Sequence, residues 1–169
     1  MPSVMLCIFL TAASAGLGPV KEGRFLLPGA DRRPADVLIP HWTGGQDTAL
    51  DVTVTSSLQT ATVERESTEP GYALTLAHDR KLWGAKEECR RQGLAFVPLA
   101  VEALGGWHPS AEAQVRMLGS SLALHSGQEE AVTISFLWRR LSILLQKGNC
   151  AILGNRTPEF PPPDIGGVL

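Results

Sequence analysis

Cysteine is scarce in this chain of 169 residues: Cys7, Cys89 and Cys150 are all there is. No two stand at CxxC spacing, so there is no zinc motif. The odd, scattered count fits reduced, buried thiols inside a cell. An excess of positive charge is lacking as well. Fifteen Lys and Arg against 17 Asp and Glu leave a net charge of -2, which excludes the strongly basic footprint of many nucleic-acid binders. No apolar run approaches the roughly 18 residues that a membrane-spanning helix needs, and no internal repeat is visible. No Lys or Arg precedes the apolar run Val4 to Thr11, so a secretory leader lacks its positive end. Ala13-Ser14-Ala15 does imitate a cleavage site, and Asn155-Arg156-Thr157 is a formal glycosylation sequon. A small secreted glycoprotein therefore stays open as a minority reading.

The residues present suit one domain with a real core. Hydrophobic residues make up 44% of the chain, and a domain of this length buries roughly 70% of its unfolded surface. Residues 3–16 read as a helix ended by Gly16 and Gly18-Pro19. Arg24 to Leu27 is a short strand candidate. Asp36 to Ile39 is another, stopped by Pro40, and Gly44-Gly45 marks a turn. The clearest strand is residues 49–55, where Leu50, Val52 and Val54 alternate with Asp51, Thr53 and Thr55. The two runs form a predicted hairpin. Residues 73–92 have helical composition, with Gly93 at the position that follows a helix end. Leu94 to Val101 is an apolar run suited to a buried strand, although Pro98 constrains its pairing. Two helices follow: one with Ser110 as its expected N-cap, the other opened by a capping box at Ser126-Gly127-Gln128-Glu129. The order is helix, three strands, helix, strand, then two added helices.

Two acids stand out against this background. Aspartate is depleted in strands, yet Asp51 sits mid-strand between Leu50 and Val52, and Asp36 opens the preceding strand. Fifteen positions with a turn between them can set the two carboxylates side by side across the hairpin. Carboxylates that close repel each other and favour a divalent cation such as Mg²⁺, which takes oxygen ligands and completes its shell with water and phosphate. The opposing reading is a solvated Asp51 on an exposed strand face and an Asp36 that merely ends the Arg33-Pro34 turn.

Several stretches, in order, carry a resemblance: Arg33-Pro34-Ala35-Asp36-Val37-Leu38-Ile39, then Leu50-Asp51-Val52-Thr53-Val54, then Lys81, then residues 96–107 ending in Gly105-Gly106-Trp107. Over about residues 17–153 the chain resembles the restriction-like endonuclease of metazoan non-LTR retroelements. The resemblance implies an α/β fold with the α-β-β-β-α-β core of PD-(D/E)XK nucleases and two extra C-terminal helices. It implies Asp36 and Asp51 as ligands of Mg²⁺ or Mn²⁺, with Glu22 as a further acidic ligand and Lys81 as the displaced catalytic lysine. It implies DNA as the substrate, a nuclear location and no membrane. The normal partner would be the reverse transcriptase portion of the same polyprotein, of which this chain would be a fragment. On this reading residues 1–20 are an N-terminal helix or signal-like segment and residues 21–108 the endonuclease-like core. Residues 109–155 form a helical pair packing on that core, and residues 156–169 a disordered Pro-rich tail.

The chain also departs from the family pattern. Thr53 stands where Asp-x-Lys would put its lysine, so activity depends on a lysine arriving from the helix. Ala35 separates Pro34 from Asp36. Gly84 and Ala85 replace the second lysine and the tyrosine of the K-x-x-K-Y helix motif, and a glycine inside a helix costs roughly 1 kcal/mol relative to alanine. A degenerate, non-catalytic remnant of the same fold, binding nucleic acid or protein, is therefore the second reading. The remaining candidates read as structural: Trp42 as a packed loop aromatic, Trp107 as a cap on the sheet edge, and His78, His108 and His125 as histidines without ligand spacing.

Overall fold

The computed structural model describes residues 2–21 and 35–154. Its elements run α1 (Pro2–Ser14), β1 (Val20–Lys21), β2 (Val37–Thr43), β3 (Gln46–Thr55), α2 (Val63–Glu66), α3 (Tyr72–Arg91), β4 (Ala95–Glu102), α4 (Pro109–Ser126) and α5 (Glu130–Gly154). The strands form one sheet in the order β1-β2-β3-β4. β1 with β2 and β2 with β3 are antiparallel, whereas β3 and β4 are parallel. A parallel pair needs a crossover, and α2 and α3 supply it. The result is a mixed α/β fold. The strand candidate at Arg24 to Leu27 and the expected tail at 156–169 lie outside the described residues.

Alternation along the strands divides the sheet into two faces. Val37, Ile39, Leu50, Leu99 and Val101 are fully buried in the larger core, with Val52, Val54 and Val97 packed against it. Helices α1, α4 and α5 cover that face through Val4, Ile8, Val115, Leu118, Leu141 and Leu145. Each such aliphatic side chain contributes roughly 1.5–3 kcal/mol on burial, so this face supplies most of the stability. The intervening residues meet α3. Ala35, Ala49 and Phe96 form a smaller cluster with Cys89, joined by Leu38, Leu82 and Ala85. The sheet side of this cluster contains two alanines, which leaves room for a helix to lie close.

Three local expectations are corrected. Pro40 does not stop its strand; β2 continues to Thr43. The register shifts between Ile39 and Thr43, and His41 takes a φ of 52°. This bulge takes Pro40 out of the regular ladder. Side chains then satisfy the displaced donors: His41 N–H donates to Asp47 Oδ1 at 2.9 Å and Thr43 N–H to Thr48 Oγ1 at 3.1 Å. The turn itself uses Gly44 and Gly45 at φ 60° and 80°, the left-handed pair that a two-residue hairpin demands.

The second correction concerns α4. Its N-cap is His108, which accepts a hydrogen bond from Ser110 N–H, with Pro109 at the first helical position. Proline is pre-organised there because its missing N–H would be unpaired anyway. The third concerns the expected capping box. Ser126 closes α4, its hydroxyl donating back to Leu122 O at 2.7 Å, and Gly127 turns the chain at φ 67° before α5 starts at Glu130.

Candidate functional site

Asp36 lies one residue before the first β2–β3 pair, Val37 with Leu50. Asp36 itself forms a bend ahead of the ladder, and the charges of Asp51 on β3 and of Lys81 on α3 both act on its carboxyl. Asp36 is anchored at both ends: its N–H donates to Leu50 O at 3.0 Å, and its Oδ2 accepts the Val52 N–H at 2.8 Å. The strand pairing of β2 starts only at Val37, so the carboxylate takes the donor that β3 presents there.

Lys81 reaches the same spot from α3. Its Nζ lies 2.8 Å from Asp51 Oδ2, and Thr53 Oγ1 donates to the same oxygen at 3.4 Å. Two features aim the helix. At its N-terminus the Glu66 carboxylate accepts from Gly71 N–H at 2.6 Å and Ala73 N–H at 2.8 Å, satisfying donors that Gly71 has no side chain to cap. At its C-terminus Gly93 N–H donates to Arg90 O and Leu94 N–H to Cys89 O, with Gly93 at φ 72°. That is the Schellman pattern, and the glycine expected from sequence is the residue that makes it.

The electrostatics of the cluster are unequal. Burial pushes the Asp36 carboxyl above its ordinary value, the Val52 N–H opposes this, the charge of Asp51 adds to it, and Lys81 works against it. The Lys81 side chain is 46% exposed and that of Asp51 12%. The ammonium thus offsets the cost of burying the Asp51 carboxylate and stands near a second one, Asp36.

Glu22 lies outside the described residues. Among the described residues no group of three or more His, Cys, Asp and Glu side chains converges to hold a metal ion. The donor set in hand is two carboxylates, each with an Oδ1 that takes no hydrogen bond from another described residue. Mg²⁺ is commonly bound through one or two carboxylates, with phosphate and water completing the shell, so these residues fit such an ion.

Sequence reasoning left other neighbours aside. His78, one turn before Lys81 on α3, stacks on His108 with ring centroids 3.8 Å apart and planes 12° apart. Burial and His78 push the His108 imidazole below its ordinary value, while Asp79 opposes them. Trp42 packs against the larger core and donates to Gln114 Oε1 at 2.6 Å, but it does so from within β2, not from a loop. Trp107 pairs with Val101 at the sheet edge and packs edge-on against Trp138. A groove of about 910 Å³ lined by Arg116, Glu130, Ile134, Trp138 and Ile143 belongs to α4 and α5, across the sheet from the carboxylates.

No protein-family model, curated protein or solved structure matches the chain.

Proposed function

We propose that this chain is a metal-dependent DNA endonuclease domain of a non-LTR retroelement, built on the PD-(D/E)XK core. The observation that carries the reading is the nearness of Asp36, Asp51 and Lys81, whose charges act on one another, with Lys81 delivered by the helix and not by the strand. The topology supports it too: a helix, three antiparallel strands, a crossover through α2 and α3, and a parallel fourth strand are compatible with the α-β-β-β-α-β order, with Val20–Lys21 as the first strand in place of Arg24 to Leu27. The buried side chains of α1, Val4, Cys7, Ile8 and Ala12, support a core helix at residues 2–14 over a cleaved leader. Among the described residues no helix is long and apolar enough to cross a membrane.

Asp36 and Asp51 would hold Mg²⁺ or Mn²⁺. A divalent cation so bound would polarise a phosphate and lower the pKa of an attacking water. Lys81 has two tasks open to it, orienting that water and neutralising charge that develops on the phosphate. Hydrolysis forms a bond from the water oxygen to phosphorus and breaks the bond to the 3′ oxygen, which leaves with a proton as a 3′-hydroxyl. That hydroxyl is the primer a reverse transcriptase portion of the same polyprotein would extend, within the nucleus.

Supercoiled plasmid incubated with the purified chain and Mg²⁺ or Mn²⁺ should be converted to the nicked form. Asp51→Ala and Lys81→Ala should each abolish the conversion, and a chelator should stop it. A folded wild-type chain that never nicks would move the reading to a non-catalytic remnant. Nicking that survives Asp51→Ala would put the active site elsewhere.

A further inference from the structure

Trp83 is 80% exposed on α3. The other tryptophans are used structurally: Trp107 is buried, and Trp42 and Trp138 pack against the larger core. Arg80 and Lys86 stand three positions before and after Trp83, the spacing that makes helix residues neighbours. Neither forms an ion pair with another described residue. The nearby acid Glu87 is already engaged, accepting from Arg90 Nε at 3.0 Å and Nη2 at 2.9 Å. The result is an exposed aromatic face between two cations without ion-pair partners among the described residues, on the helix that delivers Lys81.

Helical geometry links this face to the carboxylates. At 3.6 residues per turn, Lys81 and Trp83 lie about 160° apart around the helix by the shorter way, with Gly84 and then Arg80 between them. A Cβ built at Gly84 would meet nothing within 4 Å, so the helix surface is open there. The arc from Trp83 to Lys81 is about 15 Å for a helix of ordinary diameter, which is short against single-strand binding sites of about 4–16 nucleotides.

We propose that Trp83 is a stacking platform for an unpaired base of single-stranded DNA, with Arg80 and Lys86 on the flanking phosphates. The backbone of that strand crosses α3 over Gly84 toward Lys81 and Asp51. This rests on the nuclease reading and adds to it the substrate class: a strand at least partly unpaired beside the cut, as at a frayed or displaced end. A stacked base and a phosphate chain match an aromatic between two cations better than an apolar protein surface does, because such a surface would leave both cations without partners.

The test is fluorescence anisotropy of a labelled oligothymidylate with the full chain in EDTA, run beside the plasmid assay. Wild type should bind, and its tryptophan emission should be quenched. Trp83→Ala should bind about 5- to 150-fold more weakly, while Trp83→Phe should retain most of the affinity and lose the quenched emission. Arg80→Gln with Lys86→Gln should lower the slope of log affinity against log salt by about 0.7 per cation removed. Equal affinity of Trp83→Ala and wild type, or no binding by wild type, would overturn the platform even if the plasmid is nicked. Binding that depends on Trp83 without any nicking would keep the platform and overturn the nuclease.

Discussion

Asp36 shows at the scale of one residue why a functional site works against stability. Its carboxylate is half-buried near a second carboxylate, and burial, opposed by the Val52 N–H, leaves its pKa raised. A carboxyl whose folded pKa lies above its unfolded one adds most stability below the unfolded value and loses it as pH rises through the folded value. At neutral pH the ionised group is therefore a net burden. Asp36→Asn should raise the melting temperature at pH 7, change it little near pH 4, and abolish nicking, since the amide oxygen still accepts from Val52 but is no longer an anionic ligand. Asp36→Ala should instead destabilise the fold by about 1–3 kcal/mol, the cost of a buried N–H left unpaired. Melting curves of the two variants at both pH values separate these effects. If both lowered stability at pH 7, the carboxylate would be contributing stability there.

At the scale of the element, the ends of helices matter more than their middles. α3 is held by the Glu66 carboxylate at one end and Gly93 at the other, and this fixes the turn from which Lys81 points. α4 depends on His108, a cap that titrates. Its pKa is lowered by burial and by His78, so the stability tied to neutral His108 is complete above the unfolded value of about 6.5 and is lost as pH falls through the folded value. His108→Asn should flatten this part of the stability curve, because asparagine caps helices without titrating. Thermal melts between about pH 7 and pH 5 check it. An equally steep acid loss in the variant would assign the effect to other groups.

At the scale of the whole molecule, one core joins helices from both ends of the described chain. Leu141 on α5 and Leu99 on β4 are fully buried in the same cluster as Val4 and Ile8 of α1. Asn149 also donates from α5 to Ala103 O at 2.5 Å, beyond the end of β4. Leu141→Ala and Leu99→Ala should each cost about 2–5 kcal/mol, a large share of the 5–15 kcal/mol typical of such a domain. Denaturant unfolding followed by circular dichroism and by tryptophan fluorescence should give coincident, shifted transitions for both. A transition in which α4 and α5 melt before the sheet would mean that the C-terminal helices are a separate unit.

Local pattern determined much of this. The alternation at residues 49–55, the paired glycines at 44–45 and Gly93 follow from backbone sterics and strand periodicity, and they were legible without coordinates. So was a hairpin that joins the two strands near Asp36 and Asp51, because a turn and an alternating face select which strands pair, but Asp36 lies ahead of the ladder and is held by the Val52 N–H. Tertiary structure decided what depends on distant partners. A proline mid-strand is tolerable only where side chains such as Asp47 and Thr48 replace the lost ladder bonds. Ser126 was free to cap either helix, and the backward bond to Leu122 chose the first. Two histidines 30 residues apart stack only because the turn after β4 brings His108 beside α3. The lysine that completes the carboxylate pair was named from a motif, but its reach to Asp51 depends on alanines on the sheet that let a helix approach, and helix–sheet distance is set by packing, not by sequence spacing.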